Sequence, residues 1–448
     1  MSTSTKTSGQ PHANAGLVRS LGYRDLIAYG LAYIAPIAPL STLGFVWDAA
    51  GGLIALAYLL GALCMYFTAK SYAVMTAEVP SAGSVYGIAR YSLGAFPGFM
   101  AGWLILLDYL LIPALVFLLM SVAMGTLIPQ IDRSAWLLIL VAASTAINWR
   151  GVEFTSRVNM LSVLAQFAIV IAVLACGTYA LYHGAAPGLS AHPFYDARTF
   201  SSEKIFTATS ICVLSFLGFD AISTLAEEVK GGDRTLVGRA IIHVLLISGA
   251  VFVLTAWVLG SLMPGAQIKD PASAIYELTG QRIGPWFAVA LAWLMALIVG
   301  FTNAIPMQMG VARVLFAMGR DRQLPAVFAR LHNRSGTPHF AMLFATALCL
   351  AIAVVMRNRI DQLATFVNFG ALSAFLLLHV SVLVKMAWRG RSKQYFTHWC
   401  VPLLGIAVVL LVFSGMDRGA LQVGSAWLLV GLVYGLFLRS RQRTELAV

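Results

Sequence analysis

Apolar residues along this chain come in long runs, and polar residues gather between them. A helix rises 1.5 Å per residue, so about 20 apolar residues cross the roughly 30 Å of a bilayer core. Twelve segments fit that pattern: 25–47, 52–77, 95–127, 134–149, 158–182, 203–228, 237–263, 284–316, 339–356, 361–387, 399–415 and 422–439. The fourth is short and the third and eighth are long, which requires unequal tilts. The longest outer connections, 183–202 and 264–283, hold proline, glycine and polar residues, and no soluble domain is inserted anywhere. The first twenty residues are small and polar and contain no apolar run. They predict a tail rather than a signal peptide, leaving the first span as the insertion signal.

Two of the runs are disturbed near mid-membrane. Segment 1 contains "YIAPIAPLST", with Pro36 and Pro39. A proline inside a helix removes a donor and clashes with the preceding turn, costing about 3 kcal/mol or more, and hydrocarbon offers no water to the freed groups. Segment 6 contains "SFLGFD", with Gly218 and the acid Asp220 at its centre. Irregular backbone at this depth is tolerated only inside protein or along a wet cavity. Transporters built from inverted repeats place such breaks in corresponding helices around the substrate. If segments 1–5 and 6–10 are repeats, segments 1 and 6 correspond, and Ala35, Pro36 and Gly218 border a substrate site. The plainer alternative is that glycine and proline are common in membrane helices; Pro113 and Pro306 lie within other segments, and segment 6 has no proline.

Composition excludes a soluble protein: 59% of residues are hydrophobic, 11% are charged and mean hydropathy is +0.82, against about 25% charged in soluble domains. A net charge of +12 would suggest nucleic acid in a soluble chain. Here topology accounts for it. With a cytoplasmic amino terminus, twenty-two of the 30 Lys and Arg residues fall on the cytoplasmic side and eight on the other. Both termini are therefore expected in the cytoplasm of a bacterial-type inner or plasma membrane, with the lipid bilayer and no nucleic acid as partner. The five cysteines are scattered through apolar segments without metal-ligand spacing, and read as small core residues. Oligomeric state has no signature.

Charge inside the spans is the sharpest feature. An ionisable residue at the bilayer centre costs from about 2.5–3.5 kcal/mol upward and is a functional hypothesis by default. Asp108 lies in the middle of "GWLILLDYLLIPALVF"; Asp220 lies in segment 6, and Glu227 follows seven residues later on the same face. No lysine or arginine lies at the depth of Asp108 and Asp220. An unpaired carboxylate there either takes a proton or awaits a cation, which points to proton coupling or to an amine site. Each acid also has an ordinary reading. Asp108 can bond a neighbouring helix, Asp220 can cap the inner half of segment 6, and Glu227 and Glu228 can pair with Lys230 and Arg234.

The aromatic residues Tyr33, Trp103, Tyr109, Phe216 and Phe219 surround the acids in sequence; each alone is ordinary packing, and as a set they suit an ammonium ion. Gln166, a lone polar residue in segment 5, either bonds between helices or, with Trp103 and Glu227, contributes to coupling or gating. Asn303 can satisfy carbonyls freed by Pro306. An enzyme is not expected: eight histidines are dispersed, only His243 and His379 lie well inside spans, and no His-Glu-x-x-His or Gly-x-Ser-x-Gly motif occurs. Nothing resembles a channel filter. No metal or cofactor is expected beyond a coupling ion, a proton in preference to sodium.

Three stretches carry a family resemblance. "EVPSAGSVYGIAR" (78–90), "SFLGFDAISTLAEEVK" (215–230) and "GRDRQLPAVFARLHNRSGTPHFAML" (319–343) resemble, in order, signatures of the amino acid–polyamine–organocation superfamily. The resemblance spans segments 1 to 10. It implies an all-α membrane protein with twelve transmembrane helices in a five-plus-five inverted repeat (LeuT-like), helices 1 and 6 interrupted, and two further helices at the end. Residues 1–20 would then form a cytoplasmic tail, 21–182 the first repeat, 203–387 the second, and 388–448 the last two helices and a short tail. "AYIAPIAPLS" and "LLDYLLIP" look most like bacterial putrescine importers. Amino-acid importers of the superfamily usually carry a glycine-rich break whose free amides hold the substrate carboxylate, and this chain has prolines there. Some members have a lysine in segment 5 in place of sodium, where this chain offers Gln166. The implied activity is import of a small cationic amine, putrescine above all, by a proton-coupled secondary transporter; an amino-acid permease is the alternative.

Overall fold

The computed structural model describes residues 21–79, 84–149, 156–184, 188–226, 228–320, 324–331 and 338–445. These residues are helical apart from turns, loops and one isolated bridge. The first expected span is two helices, α1 (Tyr23–Ile34) and α2 (Ala38–Ala50), bent by 40°. Then come α3 (Ile54–Glu78), the short α4 (Val85–Leu93), α5 (Ala95–Leu127), α6 (Arg133–Trp149) and α7 (Ser156–Tyr182). The sixth span is α8 (Ser202–Phe216) followed by a 3₁₀ turn, Phe219–Leu225. After it lie α9 (Thr235–Leu262), the connection helix α10 (Ala274–Arg282), α11 (Pro285–Trp293) and α12 (Gly300–Arg320), the last two joined through a π turn at Leu294–Val299. The chain closes with α13 (His339–Val355), α14 (Ile360–Val382), α15 (Val401–Ser414) and α16 (Arg418–Glu445).

Each expected segment overlaps a helix. By length and composition, eight of the described helices can cross a membrane, or nine with the bent pair counted as one span. Pro285–Leu297 and His339–Val355 are apolar but shorter. Pro113 lies inside α5 without breaking it, so proline alone does not mark a break.

The helices pack through small residues, as expected where lipid supplies no hydrophobic drive for helix association. α3 lies against α8 and α9, and α5 lies against α14. A Cβ on Gly370 of α14 would stand 2.8 Å from the Leu104 carbonyl oxygen and 2.9 Å from the Asp108 nitrogen, so the two backbones touch beside Asp108. The two broken spans are tied together at one end: Leu21 N–H donates to the Glu228 carbonyl (3.0 Å), and Lys230 N–H donates to the Leu21 carbonyl (2.9 Å). Carboxyls close helix ends outside the spans. Asp132 accepts from Ser134 N–H (2.8 Å) before α6, and Asp233 accepts from the Thr235 hydroxyl and N–H before α9. Those bonds hold both carboxyls below the usual carboxylate range.

Candidate substrate site

The two prolines of the first span do different work. Pro36 disfavours helical backbone in the residue before it, and Ala35 takes φ 58°, ψ 97°, which ends α1. Pro39 lies in the first turn of α2, where a missing N–H is no loss. Ala35 stays bonded on both sides, donating to Leu31 (3.1 Å) and accepting from Ala38 (2.8 Å).

The second break depends on Gly218. α8 ends at Phe216, Leu217 is extended, and Gly218 turns to φ 108°. A Cβ there would sit 2.9 Å from the Tyr33 carbonyl oxygen. Both the backbone conformation and the contact call for glycine. The two breaks therefore meet, Gly218 against the backbone of Tyr33.

Below that contact the acids come together. Asp220 opens the 3₁₀ turn, 1% exposed, and accepts from the Tyr109 hydroxyl at 3.2 Å. The backbone of its own turn, at Gly218, Asp220 and Ala221, also acts on its carboxylate. Asp108 is 2% exposed, and its Oδ1 has no hydrogen-bond partner among the described residues. Asp108, Tyr109 and Tyr72 all lie within reach of the Asp220 charge. Neither acid forms an ion pair among the described residues. A buried carboxylate oxygen without a partner is costly, and a cation that brings N–H donors satisfies it. No group of His, Cys, Asp or Glu suited to a metal ion occurs among the described residues.

The other expected site residues divide. Phe219 lies beside the acids, in a trio with Tyr72 and Phe375 whose ring centroids are 5.9 Å apart. Tyr33, Ala35 and Pro36 lie at the first break, where the Tyr33 carbonyl meets Gly218. Phe216 instead packs against Phe252 (4.9 Å) and Tyr58 in the interface of α3, α8 and α9. Trp103 faces α16: it stacks on Trp427 at 4.5 Å, and each indole N–H donates to the other residue's carbonyl. Gln166 is fully buried, with both amide atoms unpartnered among the described residues. Glu227 lies outside the described residues, as do parts of the first and third signature stretches.

Sequence reasoning missed Tyr72 and Phe375. It also missed the hydroxyl knot of Thr42, Tyr58 and Ser215 (2.6, 3.2 and 3.4 Å), which binds α2 and α3 to α8 just above the break. A signal was present: Thr68, Ser71, Tyr72 and Thr76 form a buried polar stripe on α3 at helical spacing. His379 of α14 reaches the same stripe, bonding Ser71 (2.9 Å) and Thr68 (3.3 Å). A cavity of about 210 Å³ opens where α8 and α14 begin, bordered by Thr42, Ser210 and Thr365, and by Leu115 two turns along α5 from Asp108.

Broken helices that meet near buried acids in a polytopic helical protein are an arrangement that membrane transporters use. Comparison with known proteins gives the family. The amino acid permease profile matches residues 26–437, and the chain belongs to that family, within the superfamily its motifs resemble. It is 30% identical over 426 residues to the low-affinity putrescine importer PlaP of Escherichia coli strain K12, covering 93% of each chain. It is 28% identical to the branched-chain amino acid permease BcaP of Bacillus subtilis, over 96% of this chain and 95% of that one. A methylthioribose transporter of the same organism is 27% identical, over 94% of both. The chain is thus a multi-pass membrane permease for a small molecule, and not an enzyme.

Proposed function

We propose that this permease imports a small cationic amine, putrescine or a related polyamine, by proton-coupled secondary transport across a bacterial inner membrane. The observation that carries the reading is Asp108: a buried carboxylate with one unpartnered oxygen, beside a second acid and without a basic neighbour among the described residues. Asp220 already has Tyr109 and the backbone of its own turn, so Asp108 is the better placed to greet an ammonium group. Tyr109 supplies ring surface for the methylene chain, and Phe219 backs the site from behind Asp220. The prolines of the first break leave few free amides for a substrate carboxylate, which disfavours amino acids.

In this reading both termini are cytoplasmic. The first, second, sixth and seventh spans rock against the third, fourth, eighth and ninth, in an inverted repeat of five spans each. Either acid can carry the coupling proton, and sodium is the rival ion. An amino-acid permease is the second reading, favoured by the similarity to BcaP. Uptake of radiolabelled putrescine into cells or proteoliposomes decides between them. Competition by diamines and not by free amino acids, with uptake raised by an inward proton gradient and indifferent to sodium, is the expected result. Competition by amino acids alone overturns the amine reading.

A further inference from the structure

We propose that the Tyr72 hydroxyl is the third ligand of an ammonium group held by Asp108 and Asp220, which makes the site selective for primary over methylated amines. The inference rests on the amine reading and goes beyond it by assigning a residue and a degree of substitution.

Tyr72 projects from α3 and is fully buried. Its ring meets Phe219 and Phe375 nearly at right angles, 89° and 85°, with both centroids 5.9 Å away. Two such contacts from different helices fix the ring, and with it the position of the oxygen. That oxygen has no hydrogen-bond partner among the described residues. A buried hydroxyl left without a partner is unfavourable, so the packing that holds it there calls for an explanation. The charges of Asp220 and Asp108 both act on it. Tyr109, next to Asp108, bonds Asp220, and the Tyr72 ring packs on Phe219, next to Asp220, so the two orphaned oxygens, Asp108 Oδ1 and Tyr72 Oη, share one neighbourhood with the Asp220 carboxylate.

A primary ammonium presents three N–H donors. Asp108, Asp220 and Tyr72 present three acceptors from three different elements: α5, the 3₁₀ turn and α3. Tyr109 donates to Asp220 and keeps that carboxylate in place. A secondary ammonium leaves one acceptor bare and a quaternary one leaves all three. Aromatic cages that rely on ring faces favour quaternary ammonium. Phe219 and Phe375 each meet Tyr72 edge to face and tilt 37° against one another, so their contacts go to Tyr72 and to each other, and the acceptor oxygens set the selectivity, which runs the other way.

The test uses the full-length protein in lipid nanodiscs. Radiolabelled putrescine is displaced by butylammonium, N-methylbutylammonium or butyltrimethylammonium, which share one chain length and one charge. Affinity is expected to fall in that order, by about tenfold or more from first to last. Tyr72→Phe keeps the ring and removes only the hydroxyl. It is expected to weaken butylammonium about tenfold and leave butyltrimethylammonium unchanged. An equal effect on both competitors overturns the role of Tyr72 and leaves the amine reading standing. So does wild-type protein that takes the quaternary amine as tightly as the primary one, a result that needs no variant to fold. Failure of wild-type protein to bind putrescine overturns the amine reading itself and this inference with it.

Discussion

Asp108 and Tyr109 are neighbours on α5, yet their oxygens have different fates. The Tyr109 hydroxyl donates to Asp220, whereas Asp108 keeps an oxygen that nothing described satisfies. Asp108→Asn preserves the shape and removes the charge, so it should reduce putrescine uptake at least tenfold while the protein still reaches the membrane. Unchanged uptake per unit of membrane protein removes Asp108 from the site. Trp103 makes the opposite case. It lies five residues before Asp108, which turns it about 140° around the helix, and its indole is held by Trp427. Trp103→Phe breaks that reciprocal pair, so it should lower the melting temperature in detergent and leave the KM for putrescine unchanged. A raised KM at constant stability would return Trp103 to the substrate path.

At the scale of elements, the breaks are built from opposite backbone choices. Gly218 occupies a conformation that suits glycine, and Ala35 occupies a positive φ that does not suit alanine. A residue with a Cβ held in a sparsely populated backbone region costs about 1–3 kcal/mol. Gly218→Ala adds contact with the Tyr33 carbonyl and should lower both thermal stability and uptake. Ala35→Gly should hold or raise stability, since it relaxes a strained residue. If the two variants shift the melting temperature in the same direction, strain is not what distinguishes the breaks. Gly370 is the equivalent test for α5 against α14. A methyl group there pushes on the backbone at Asp108, so Gly370→Ala should impair uptake although it touches no substrate.

For the whole molecule, the proposed cationic cargo has an energetic consequence. An inside-negative potential favours entry by about 2.3 kcal/mol per positive charge per 100 mV, so a diammonium ion gains about twice that. Proteoliposomes with an imposed inside-negative potential should accumulate putrescine well above those clamped at zero. Accumulation that ignores the potential excludes net entry of positive charge. The tie between Leu21 and residues 228–230 joins the two broken spans at one end, as expected if they move as one body in alternating access.

By itself the sequence determined that the chain is membranous, marked two places where helices could break, and put Asp108 and Asp220 in the spans without basic company. Each of these is local: the length of a run, a proline or glycine at a given depth, a charge in an apolar stretch. Tertiary structure decided which of those residues meet. It set Gly218 on Tyr33, brought Tyr72 and Phe375 to the acids, and turned Trp103 and Phe216 toward other helices. Spacing along one helix gives depth and relative face, whereas the neighbour a face meets depends on how distant helices pack, and no local pattern carries that.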